Sequence, residues 1–455
     1  MLDWGLAQAF RLRACRCFAA GNLQQAGCEI TKAIELHEQF SENNPLLDSQ
    51  QARLTMLEDL ARYRYEQKEF SLSLDSYRRI IQVYDQMLSG GRRRPDWLES
   101  RANAQVYLAA CNSQLIQPNE AVLALEAAEE DLRNAWKIFG GEAMYHDKVS
   151  SVYYGLGHSF LLVGDSEQAE RILTLSIQSL QRSISIDLPT AKLLKRIAQN
   201  QIWLALAIEQ QQRKDFDSPL DESESNLKKI EALQEPDAEL DFLWTQLAWL
   251  RSRHQILLGK FDVAMLTIEN EFSRELVVDK HDVIHHDLYV GRLHLNRSII
   301  HAEKDEFAES KASRNKAREL WKSAQRSTGR PSAMAAFCLL QSWCEEADLS
   351  EEERAECKSL AHAMVEQHET SPTTWFWLAE TSCRFGDLET ARSAATKLER
   401  LRRRQTPDDK LLLEWIRQKS EAPTKKTSLQ SLTLLNIESQ KGTHSWFLKQ
   451  QLVQP

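Results

Sequence analysis

Nine short turn signals recur along this chain of 455 residues at intervals of about 47. They are Gly21-Asn22, Lys68-Glu69-Phe70, Gln117-Pro118-Asn119, Gly164-Asp165, Lys214-Asp215-Phe216, Gly259-Lys260-Phe261, Lys304 to Phe307, Asp348-Leu349-Ser350 and Gly386-Asp387. Each separates two stretches with apolar residues at i, i+3, i+4 and i+7, a spacing that places a stripe on one face of a helix. A short turn between two such helices makes them antiparallel neighbours. A hairpin of this kind cannot bury its apolar face alone, so it must stack on the next one. The periodicity therefore predicts an all-α chain of about eight or nine stacked hairpins.

The residues flanking the turns support that reading. The first helix carries a large residue followed by a small one: Phe10 and Ala14, Trp203 and Ala207, Trp375 and Ala379. The second helix places a small residue shortly after the turn, at Ala26, Ala121, Ala169, Ala264 and Ala391. Small residues let two helices approach, and large ones fill the space between hairpins. Composition agrees, because only 15 Gly and 11 Pro leave little room for the turns of an all-β fold. Asn43-Asn44-Pro45, Gly90-Gly91, Gly140-Gly141, Asp187-Leu188-Pro189 and Glu235-Pro236-Asp237 mark the links between hairpins. The pattern weakens near Ser420. Residues 1–418 are therefore assigned to the array, and 419–455 to a linker and tail that can hold a capping helix.

In register, Tyr153, Leu156, Gly157 and Phe160, then Gly164-Asp165, then Ala169 and Leu173, follow the order aromatic-x2-Leu-Gly-x2-aromatic, turn, Ala-x3-apolar. This resembles the tetratricopeptide (TPR) hairpin. The resemblance covers residues 4–418 and implies a right-handed superhelical solenoid. It also implies a function as a protein-interaction scaffold that holds a peptide or partner domain in a concave groove. More narrowly, the chain resembles the TPR tails of bacterial serine/threonine protein kinases. The carriers are the repeat spacing, Glu42-Asn43-Asn44-Pro45, the stretch from Trp377 to Arg392, and the helix of Lys410, Glu414 and Trp415. That resemblance implies a regulatory tail or a truncated relative of such a kinase.

In TPR arrays the first helices of successive hairpins line the groove. The matching face here gives Tyr154, His158, Gln201, Trp249, Arg253, Arg292, Phe376 and Glu380 as the expected partner contacts. Aromatic residues and Arg are frequent binding hot spots. The competing reading is that some of them pack internally, since the long helices shift the register.

Catalytic chemistry is not expected. There is no G-x-S-x-G, P-loop or H-E-x-x-H pattern. Asp3-Trp4-Gly5-Leu6-Ala7 looks like the kinase metal-binding segment in a Trp variant, but no Gly-rich loop, Lys strand or catalytic loop stands with it. A helix capped by Asp3, with Trp4, Ala7 and Phe10 buried, accounts for the same residues.

His281, His285, His286, His294 and His301 cluster in one window, yet no Cys lies close by, and a structural metal site wants four ligands. No metal or cofactor is expected. The basic runs Arg92-Arg93-Arg94 and Arg400 to Arg404 lack interleaved aromatics and read as solvated caps. Glu351-Glu352-Glu353 reads as an acidic helix start.

With a net charge of -9, nucleic acid is not the expected partner. No stretch is apolar enough to span a membrane, and no leader is visible. Eight scattered cysteines without a C-x2-C pair fit a cytoplasmic protein.

Overall fold

The computed structural model describes residues 2–421 apart from 42–46, 90–93, 140–141, 187–189, 212, 214–216, 234–236, 275–282, 328–329, 345, 347–348 and 403–406. The described residues form helical hairpins and no strand. In order they are α1 (Leu2–Ala19) with α2 (Leu23–Ser41), α3 (Leu47–Glu66) with α4 (Phe70–Ser89), and α5 (Pro95–Gln114) with α6 (Pro118–Phe139). Next come α7 (Glu142–Leu162) with α8 (Ser166–Ile186), α9 (Ala191–Gln210) with α10 (Asp217–Leu233), and α11 (Ala238–Leu257) with α12 (Phe261–Phe272). The last are α13 (Val283–Glu303) with α14 (Phe307–Gln325), α15 (Arg330–Cys344) with α16 (Glu351–Gln367), and α17 (Pro372–Arg384) with α18 (Leu388–Leu401). A closing helix, α19 (Pro407–Glu421), runs three residues past the array end expected at 418. The fold is all-α and TPR-like. It divides within α7 into two compact units, Met1–Leu156 and Gly157–Pro455.

The turns share one device. Seven of them hold a left-handed residue two positions before the second helix: Gly21, Lys68, Ile116, Gly164, Gly259, Asp305 and Gly386. The next amide then reaches back to a carbonyl five residues earlier, as in Asn22 to Cys17 (2.9 Å), Asp165 to Phe160 (2.9 Å) and Asp387 to Ser382 (2.8 Å). This is the Schellman arrangement, which satisfies carbonyls left open at a helix end. Glycine adopts that backbone freely, whereas Lys68, Ile116 and Asp305 hold it against their Cβ atoms.

Close approach explains two further glycines. A Cβ on Gly157 would stand 2.6 Å from Leu173 Cγ, so α7 and α8 meet there. Gly291 on α13 lies under the indole of Trp321, whose Nε1 donates to the Leu288 carbonyl at 3.1 Å. Second helices such as α4, α8 and α18 are strongly amphipathic, while α1, α3, α5 and α11 are not. A first helix is packed on more than one side, so its apolar residues spread around the circumference.

Two local expectations change, and the acidic helix start holds. Asp3 lies inside α1, which begins at Leu2, so it is not the cap; Trp4 is exposed, while Ala7 is buried as expected and Phe10 packs against the core. Arg402 is buried against Asp409 (3.2 Å), because the chain turns there into α19; it is not a solvated cap. The acidic run begins with a capping box: Ser350 Oγ accepts from the Glu353 amide and the Glu353 carboxylate accepts from the Ser350 amide. Most of the inter-hairpin links, Lys214 to Phe216, Arg92-Arg93, Arg403-Arg404, His281 and nearly all of the tail lie outside the described residues.

Candidate functional site

The eight expected contacts divide between the units. Tyr154 is half-buried on the part of α7 that belongs to the first unit. The other seven lie in the second unit, and none is more than 7 % exposed. They pack internally, for a reason visible in the helix neighbours. There α9 touches α11, α11 touches α13, α13 touches α15 and α15 touches α17, so first helices meet directly.

Their side chains make contacts with other side chains of the same unit. Arg253 Nε lies 3.4 Å from Glu209 Oε1, and both are buried. Burial raises the Glu209 carboxyl to about 7, with Arg253 pulling it back. The guanidinium of Arg292 sits over Trp249 (4.6 Å) and Tyr289 (5.3 Å), and Arg253 lies 5.7 Å from the same indole. Trp249 meets Tyr289 edge-on at 5.4 Å. Gln201 Nε2 donates to Glu222 (2.8 Å), and its Oε1 accepts from Asn226 (3.0 Å). Phe376 packs edge-on to Trp377 at 5.3 Å, and Glu380 pairs with Arg384 at 3.2 Å. His158 packs edge-on to Trp203 (4.8 Å) and accepts from Arg330 (2.7 Å).

The first unit is built differently. There α3 and α5 are held through α4, which packs against both. An open cleft of about 420 Å³ runs between them, lined by Glu58, Asp59, Arg62, Tyr77, Ser100, Asn103, Ala104 and Tyr107. A smaller one of about 270 Å³ shares Ser100 and extends past Tyr84, Asp96 and Trp97. Gln51, Glu58 and Arg62 on α3, and Asp96, Ser100, Asn103 and Tyr107 on α5, follow helical spacing, so each set forms one stripe.

Tyr107 is 50 % exposed, and its ring stacks on buried Tyr77 at 5.3 Å with 6° between planes. Burial pushes both the Tyr77 and Tyr84 hydroxyls up, the latter to about 12. Tyr84 donates to Glu58 Oε1 at 3.4 Å. Desolvation raises the Glu58 carboxyl, partly offset by that bond. Asp59 takes Arg11 Nε at 2.9 Å and Arg62 at 3.3 Å. Arg62 also lies over the Phe18 ring at 5.0 Å.

Sequence reasoning missed this cleft. Tyr77 and Tyr107 stand at ordinary apolar positions, and only the spacing of α3 and α5 makes them a wall.

The histidine window holds no metal group: among the described residues no three His, Cys, Asp or Glu converge. His294 packs tilted against Phe272 at 4.6 Å, and His301 Nδ1 meets Glu306 at 2.5 Å. None of the eight cysteines is in a disulfide. No described helix is long and apolar enough to cross a membrane.

No protein-family model matches the chain, and no curated protein does. Solved structures do. One is a monomeric mutant of IFIT1 with Gppp-AAAA, at 12% identity over 98% of this chain and 89% of that one, with a TM-score of 0.51. A tetratricopeptide repeat protein from Parabacteroides merdae gives 15% identity over 78% and 98%, with a TM-score of 0.40. The apo quorum sensor NprR from B. thuringiensis gives 12% over 87% and 98%, at 0.47. These likenesses concern the fold. The narrower resemblance to bacterial kinase tails gains no support from them.

Proposed function

We propose that the chain is a non-catalytic protein-interaction scaffold that receives an extended peptide segment of a partner in the cleft between α3 and α5. The observation that carries this reading is the open cleft walled by two residue stripes from successive first helices. Helical stacking supplies a rigid, pre-formed wall, so ordering falls mainly on the ligand. In the second unit the matching face is occupied by the chain's own side chains. Trp249, Arg253 and Arg292 then act as supports rather than as contacts.

A photo-crosslinking residue placed at Tyr107 tests the reading. It should capture a partner that the same residue at exposed Leu266 does not. Partners captured only through the second unit or through residues after 421 would refute it. The regulatory-tail alternative rests on the sequence resemblance at Trp377 to Arg392, and a kinase lobe encoded in frame upstream is the observation that would favour it.

A further inference from the structure

We propose that the α3–α5 cleft is selective for a basic segment, seating one arginine or lysine side chain between the Glu58 carboxylate and the open face of Tyr107. This deepens the scaffold reading and rests on it. Three features converge.

The first is the aromatic wall. Tyr77 covers one face of the Tyr107 ring and leaves the residue half exposed to the cleft. An aromatic face carries negative electrostatic potential and attracts a cation placed over it.

The second is the distribution of charge. Asp59 is neutralised twice, by Arg11 and Arg62. Glu58 has no ion pair among the described residues and accepts only from the Tyr84 hydroxyl. The cleft guanidinium is thus directed at Asp59 and the ring of Phe18, and the carboxylate left over is Glu58. Its environment already disfavours the charged form, which a bound cation would reverse. An acidic segment would set like charges together at this point. A phosphate backbone would meet the same carboxylate and find both guanidinia engaged.

The third is the neutral lining. Ser100 and Asn103 line the same cleft and offer donors and acceptors to a ligand backbone without adding charge. A cleft of about 420 Å³ suits one long side chain with its flanking backbone. The net charge of -9 favours encounter with basic segments.

The test uses the full chain and synthetic nonapeptides that differ only at the central residue: Arg, Lys, citrulline, norleucine or Glu. Binding is read by fluorescence anisotropy. Arg- and Lys-centred peptides should bind at least ~10-fold more tightly than the citrulline and norleucine peptides. Glu58→Gln and Tyr107→Ala should abolish that preference, while Tyr107→Phe keeps it; melting curves should coincide with the parent's. Equal binding of Arg and norleucine peptides, tighter binding of the Glu peptide, or a preference that survives Glu58→Gln overturns the inference and leaves the scaffold reading standing. Binding of no peptide overturns it too, and the Tyr107 crosslink then shows separately whether the scaffold reading falls.

Discussion

Arg330 and His158 stand 172 positions apart in sequence, yet their Nη2 and Nε2 atoms lie 2.7 Å apart. A guanidinium can only donate, so the imidazole accepts and is neutral. Near it Arg402 Nη1 donates to the Leu162 carbonyl at 2.7 Å, across 240 positions. Within the second unit, α7 therefore meets both α15 and the start of the closing segment.

The His158 contact predicts a pH dependence. Burial, then Arg330, hold the imidazole well below 6.5. A depressed histidine contributes stability that is present above the unfolded value of 6.5 and lost as pH falls below it. Glu209, raised to about 7, acts in the opposite sense. The informative quantity is therefore the stability difference between the parent and His158→Gln. It should decline steadily as pH drops from 7 toward 4.5 in urea titrations. A constant difference across that range would contradict a buried neutral imidazole.

The Gly157 contact predicts overpacking. Gly157→Leu should lower the denaturation midpoint, with a loss of stability of about 1–3 kcal/mol, since Leu173 occupies the space a Cβ would need. Pairing it with Leu173→Ala should recover part of the loss if the two side chains compete for one volume. No recovery would place the strain elsewhere.

The left-handed turn residues predict opposite outcomes for two substitutions. Lys68→Gly relieves an exposed lysine held at φ 62 and should stabilise by about 1 kcal/mol. Gly164→Ala puts a Cβ at φ 82 and should destabilise by a similar amount. Thermal melts of the two variants decide it, and shifts of the same sign would remove the argument.

The buried pair at the end of the array predicts the largest loss. Asp409→Ala leaves the Arg402 guanidinium buried without its 3.2 Å partner. Removing one member of such a pair costs on the order of 3–5 kcal/mol. Amide hydrogen exchange should show α19 losing protection first. Unchanged exchange there would mean that Arg402 finds another anion.

Much of the fold was legible in the chain itself. The turn signals, the large-then-small residues of the first helices and the small residues after each turn point to about eight or nine hairpins, because local propensity and apolar period act over a few residues. Gly157 stands in the local aromatic-x2-Leu-Gly register for the same reason. Gly291 escaped, since its partner Trp321 lies on a helix whose register only packing sets.

Position in the array was decided by tertiary structure alone. Trp249, Arg253, Arg292 and Glu380 carry the residue types of a binding surface, and their helical face follows from the resemblance to TPR arrays. Whether such a face is open depends on how closely one first helix approaches the next. In the second unit those helices touch, and Arg253 meets Glu209 while Glu380 meets Arg384. In the first unit α4 holds α3 and α5 apart, and Tyr107, with the same helical spacing, faces a cleft. Sequence period fixes the face of a helix over a turn or two. The distance between helices is set by the summed volumes of side chains drawn from the whole unit, and no local pattern carries that sum.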